Sequence, residues 1–141
     1  MARVFLSHAS EDRGLAAEVH GWLTGQGHEV FLDQDLRAGL AMGELWEQRL
    51  FERLRWADAV LCLVTSAYVA SPWCAAEVGI ASSRGSRLLP LRAESGVSHP
   101  LLSSRHVTIS FSYSTASRTR FCHLINAWVT AFLYKSILLS Q

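Results

Sequence analysis

The chain opens on a short apolar run, Arg3–Ser7 (RVFLS), broken at once by the polar HASED. A run of that length bounded by polar residues predicts a buried strand. From Glu11 to about Gly25 the period changes, and Leu15, Val19, Trp22 and Leu23 recur on one helical face. Ser10 is placed to cap this helix, and Gly25 and Gly27 to stop it. Glu29–Leu32 (EVFL) predicts a second strand. The polar DQDLRAGLAMG that follows, Asp33–Gly43, is too long for a tight turn and predicts a shaped loop. A helix from about Glu44 to Trp56 carries Trp46, Leu50 and Leu54 along one side. Ala59–Val64 (AVLCLV) is apolar without interruption, the mark of a central parallel strand covered on both faces. A short loop then leads into a helix holding Trp73 and Glu77. Arg87–Leu91 (RLLPL) predicts a fourth strand that Pro90 places near an edge or ends. Val107–Phe111 is a weaker fifth strand, and Phe121–Leu139 a final apolar helix.

Strands alternating with helices at this spacing specify an α/β fold, a parallel sheet with helices on both faces. Right-handed crossovers leave few topologies, of which the five-stranded doubly wound order 2-1-3-4-5 is the expected one. In that order a crevice opens beyond the carboxyl ends of strands 1 and 3, where the winding reverses. Its rim is then formed by Ser7–Ser10 and Thr65–Trp73.

Composition narrows the class. A chain of 141 residues, 50% hydrophobic and 18% charged, is expected to fold as one globular domain over residues 1–141. A net charge of +1 gives no argument for nucleic acid or an anionic membrane as partner. Cys62, Cys74 and Cys122 are odd in number and widely spaced, which predicts reduced thiols in a cytoplasmic protein, not a disulfide framework or a metal cluster. The first residues have no apolar core of the kind a signal peptide needs. All twelve acidic residues lie at or before Glu94, so the last 47 residues carry none. The apolar Phe121–Leu139 contains His123, Asn126, Thr130, Lys135 and Ser136, which favours a buried helix or a contact with a further domain over a membrane span.

The stretch SPWCAAEV, Ser71–Val78, carries the candidate chemistry. Ser71, on the rim, is a candidate substrate contact and a good helix cap, and Pro72 a good first helical residue. Trp73 and Glu77 then lie one turn apart on the same face. Glu77 is the only charge between Ser71 and Ser82, and a solvated helix glutamate is the plain alternative to a functional one. Ser7 and His8 end the first strand at the crevice, either as substrate contacts or as strand-end caps; His8 has no evident nucleophile to serve as base. Gly25 precedes a strand instead of opening a helix, so no dinucleotide fingerprint is present, nor a phosphate loop, zinc spacing or nucleophile elbow.

Three blocks, RVFLSHASEDR, VFLDQDLRAG and ADAVLCLVTSAYVASPWCAAEV, resemble in wording, order and spacing the Toll/interleukin-1 receptor (TIR) domains. The wording is nearest to plant and bacterial members; the match is strongest over residues 1–94, and 95–141 is atypical. The resemblance implies a flavodoxin-like fold and one of two functions. Many TIR domains cleave NAD+ at the nicotinamide–ribose bond, giving ADP-ribose or a cyclic variant; others only bind further TIR domains as signalling scaffolds. By the resemblance Glu77 takes the catalytic position, Trp73 the aromatic one turn before it, and Phe31 an aromatic position lining the site, with a core phenylalanine as the alternative. The resemblance also implies that the Asp33–Gly43 loop gates the site and makes contacts in assemblies. Within it Arg37 is a candidate for phosphate, the alternative being a solvated arginine, and Gly39 a candidate contact or a conformational glycine. NAD+ is then substrate, not cofactor, and the partners are other copies in a homo-oligomer or a fused sensor or regulatory domain. The expected role is that of an effector in immune or cell-death signalling. A receiver domain is disfavoured, because Thr65 stands where a phosphoacceptor aspartate belongs.

Overall fold

The computed structural model describes residues 1–32, 44–102, 109–110, 127, 130 and 131. Five parallel strands form one sheet in the order β2-β1-β3-β4-β5, as the alternation of elements predicts. They are β1 (Arg3–Ser7), β2 (Glu29–Leu32), β3 (Ala59–Val64), β4 (Leu88–Arg92) and β5 (Ile109–Ser110). Between them run α1 (Arg13–Gly25), α2 (Glu44–Trp56), α3 (Ser66–Ala70) and α4 (Pro72–Ser83).

Strand residues alternate between two cores, as the period of two requires. Val4, Leu6, Leu61, Leu63, Leu89 and Leu91 face α1, where Ala16, Val19 and Leu23 complete an aliphatic cluster. Phe5, Val60, Cys62, Val64 and Leu88 face the other way and pack with Trp46, Leu50 and Leu54 of α2, Tyr68 of α3 and Cys74, Val78 and Ala81 of α4. β3 pairs with β1 on one side and β4 on the other and is buried along its whole length, which accounts for its unbroken apolar run.

Three local expectations change. Ser10 does not cap α1: it begins a 3₁₀ turn, Ser10–Asp12, that leads directly into the helix, and Asp12 takes the cap position without a side-chain cap bond. The loop after β3 contains a helical turn, α3, too short to announce itself by periodicity. Pro90 neither ends β4 nor sits on an edge strand; it lies opposite Cys62 in the β3 register. Its missing N–H costs no bond to β3, because the bonds from Val60 N–H to Arg87 and from Ala93 N–H to Val64 show that residues 87 and 93 face β3, which puts Pro90 on the opposite side. There, among the described residues, β5 pairs with Leu91 and Arg92. Of the expected strand Val107–Phe111, Ile109–Ser110 are described and form β5.

Helix ends follow the glycines. Gly27 has φ 85°, and the bonds from Gly27 N–H to Thr24 and from His28 N–H to Leu23 close α1 in a left-handed cap. Of the expected Phe121–Leu139 helix only Ala127, Thr130 and Ala131 are described, and these are helical. Among the described residues no helix is long and apolar enough to cross a membrane.

Candidate active site

The helix α4 brings Glu77 to the sheet. Ser71 precedes it, its hydroxyl accepting the Cys74 N–H at 3.3 Å, and Pro72 occupies the first turn, where its lack of an N–H costs nothing. Its buried residues are Cys74, Glu77, Val78 and Ala81, a single helical stripe. Glu77 thus lies on the core-facing side and is only 1% exposed.

At the carboxyl end of β1, Ser7 is fully buried on the same side of the sheet. Its hydroxyl donates to Glu77 Oε2 at 2.6 Å and lies 2.8 Å from the Tyr68 hydroxyl. A serine has one proton to give. With Ser7 donating to the carboxylate, Tyr68 must donate to Ser7, so the three groups form a directed chain, Tyr68 to Ser7 to Glu77. Burial, followed by the neighbouring Cys62 and Glu77, raises the Tyr68 hydroxyl well above its ordinary value and keeps its proton in place. Burial likewise pushes the Cys62 thiol up to about 12, against a hydrogen bond with Tyr68, so this cysteine is an inert core residue. Taking a carboxylate out of water costs several kcal/mol. A hydrogen bond to a charged group returns only about 1.5–3 kcal/mol. Burying Glu77 thus carries a desolvation cost that its hydrogen-bond partners must offset.

Two more contacts tie the crevice rim. The Thr65 hydroxyl donates to Asp12 Oδ2 at 2.5 Å and accepts the Tyr68 N–H at 3.1 Å, joining the turn after β1 to the start of α3. Glu94 holds Ser66, accepting from its hydroxyl at 2.6 Å and its N–H at 3.2 Å.

The sequence candidates divide as follows. Ser7 and Glu77 are brought together directly. His8 is buried beside them in the chain, at 1% exposure. Trp73, one turn before Glu77, is half-buried and meets Trp46 in a T-shaped contact, ring centroids 5.0 Å apart at 81°. Phe31 is half-buried, packed at 5.5 Å on Phe5, with the Arg53 guanidinium 4.4 Å above its ring. Ser71 caps α4. Arg37 and Gly39, with the rest of the Asp33–Gly43 loop, lie outside the described residues. Tyr68 and Asp12 were not singled out from the sequence, and Thr65 only as a rim residue and as the position where a receiver would carry aspartate. For Tyr68 one signal was available, an aromatic with a polar tip in the predicted crevice rim, which when buried needs a hydrogen-bond partner.

The family model for the TIR domain matches residues 4–125. The chain belongs to the TIR-domain family. Among solved structures, the TIR domain of the Toll-related receptor TRR-2 from Hydra magnipapillata is similar at 12% identity and TM-score 0.71, over 92% of this chain and 99% of that one. The Clostridium botulinum CMP N-glycosidase BcmB is similar at 17% identity and TM-score 0.62, over 89% and 98%. The 2-deoxyribosyltransferase from Bacillus psychrosaccharolyticus is similar at 17% identity and TM-score 0.61, over 83% and 96%. At these identities the likeness is one of fold. No curated protein matches the chain by sequence.

Proposed function

We propose that this TIR domain cleaves the nicotinamide–ribose bond of NAD+, with Glu77 as the catalytic carboxylate. The observation that carries the reading is the burial of Glu77 against Ser7 at the carboxyl end of β1, beside the sheet's switch point. Nicotinamide departs from a pyridinium and leaves neutral, so no general acid is required. The demanding species is the ribosyl cation-like transition state, and one carboxylate held without freedom to reorganise stabilises that charge. The same carboxylate can accept a proton from the attacking water or hydroxyl, giving ADP-ribose or a cyclic product. Two neighbours in fold are by name an N-glycosidase and a deoxyribosyltransferase, so the architecture accommodates chemistry at a glycosidic centre.

In this arrangement Glu77 is 1% exposed and engaged by Ser7, so a substrate reaches it only after the crevice opens. That agrees with activation by self-assembly, as the family implies, in a cytoplasmic homo-oligomer or a larger protein with a sensing module, acting in immune or cell-death signalling. The same burial favours the second reading, a scaffold that binds other TIR domains and never presents Glu77 to a ligand. Nicotinamide release from artificially clustered protein separates the two. Release that is lost in Glu77→Ala supports the enzyme; no release from clustered wild type supports the scaffold.

A further inference from the structure

On the same face as Glu77, but beyond Tyr68, the carboxyl ends of β3 and β4 and the segment after β4 enclose a cavity of about 120 Å³. Among the described residues its wall includes Val64, Pro90, Arg92, Ser98, His99 and Leu102. That volume exceeds the roughly 30 Å³ share of one water several-fold, enough for a small polyatomic ion.

The polar atoms at this wall are donors. Arg92 Nε is buried with no hydrogen-bond partner, and Arg92 forms no ion pair among the described residues. A buried guanidinium N–H without an acceptor is costly, since a guanidinium donates and never accepts. His99 Nδ1 accepts the Leu101 N–H at 3.2 Å, which leaves the ring proton on Nε2 as a further donor. Ser98 is exposed at the lip and supplies a hydroxyl. The nearest carboxylate in sequence, Glu94, is committed to Ser66. No acidic side chain follows Glu94, so β5 beside Arg92 brings none to it. Among the described residues Arg92 has no counter-charge.

We propose that this cavity is an oxyanion site of phosphate class, anchored by Arg92 Nε–H and flanked by Ser98 and His99. Either free inorganic phosphate or the phosphate of a nucleotide supplies that chemistry. The site is separated from Glu77 by Tyr68, whose ring meets His99 edge-on at 5.8 Å and whose hydroxyl meets Ser7, and it does not depend on NAD+ cleavage.

Calorimetric titration of the full chain with inorganic phosphate, AMP and adenosine tests the proposal. Wild type is expected to bind phosphate or AMP and not adenosine, with affinity at least about tenfold weaker in Arg92→Gln, the order of a lost charge-assisted hydrogen bond. Arg92→Lys, which keeps the charge but not the Nε–H, should fall between. Binding of phosphate as tight as AMP assigns the site to the free ion; binding of AMP alone assigns it to a nucleotide phosphate. Should Arg92→Gln fail to fold, Ser98→Asp at the exposed lip places a carboxylate at the mouth and is expected to abolish binding. No binding of phosphate or AMP to wild type, or binding unchanged in these variants, overturns the proposal.

Discussion

The two faces of the sheet are built from alternate residues of the same strands, yet they differ in kind. Toward α1 the strands present Val4, Leu6, Leu61, Leu63, Leu89 and Leu91, an aliphatic surface. Toward α2, α3 and α4 the intervening positions present Phe5, Ser7, Cys62, Pro90 and Arg92, and the helices answer with Trp46, Tyr68 and Glu77. One face is a core in the ordinary sense. The other buries a carboxylate, two hydroxyls and an arginine nitrogen, each with a desolvation cost that an aliphatic residue would avoid. Both faces bury an apolar cluster, and the candidate chemistry is confined to the second.

The contrast can be broken from either side. The largest effect on stability is expected from Leu63→Ala, which opens a cavity in the aliphatic face at a fully buried position. It should cost about 2–5 kcal/mol in denaturant unfolding while nicotinamide release per folded, clustered molecule stays at the wild-type rate. A matching loss of rate would mean that the faces are not separable. Ser7→Ala, on the other face, removes the donor to Glu77 and the acceptor for Tyr68. A loss of about 1.5–3 kcal/mol is expected, this time with slower release, because the carboxylate is no longer held in place. Intact release would reduce Ser7 to a structural role.

Much of this was legible beforehand, and the boundary is instructive. α2 and β3 have the limits their periodicity predicts, because each depends on a local apolar pattern. α4 is apolar almost all round, so its pattern could not say which stripe faces the sheet; the fold puts Glu77 there. The Ser7–Glu77 bond joins residues 70 positions apart, and the Ser7–Tyr68 contact spans 61. Neither leaves a local trace, and α3, which delivers Tyr68, is five residues long. Asp12 bonds to Thr65 across the rim, a contact over 53 positions that the local pattern does not announce. Pro90 misled because the rule against proline in inner strands assumes a ladder bond on each side, and here the described β5 pairing begins beyond it.

Smaller perturbations sharpen the picture. Tyr68→Phe removes one link of the hydroxyl chain and keeps the ring in its core cluster. The expected loss is about 0.5–1.5 kcal/mol, read by chemical denaturation. The smallest effect is a pH dependence of stability from the chemically loaded face. Burial lowers the His99 pKa, so on acidification the unfolded chain takes up this proton first. The His99 contribution is therefore fully present above the unfolded value of about 6.5 and declines as pH falls toward the lower folded value. Melting temperatures across that window should fall less in His99→Gln than in wild type; parallel curves would remove His99 from the account.

The central claim is that Glu77 is buried for chemistry and not for stability. Its most direct test pairs two readings on Glu77→Gln, nicotinamide release from clustered protein and the unfolding midpoint. We expect release to fall about a hundredfold or more while the midpoint holds or rises, since a buried charge is replaced by a neutral group of similar shape. Release that survives the substitution, or a midpoint that collapses with clustered wild type releasing no nicotinamide, would contradict it.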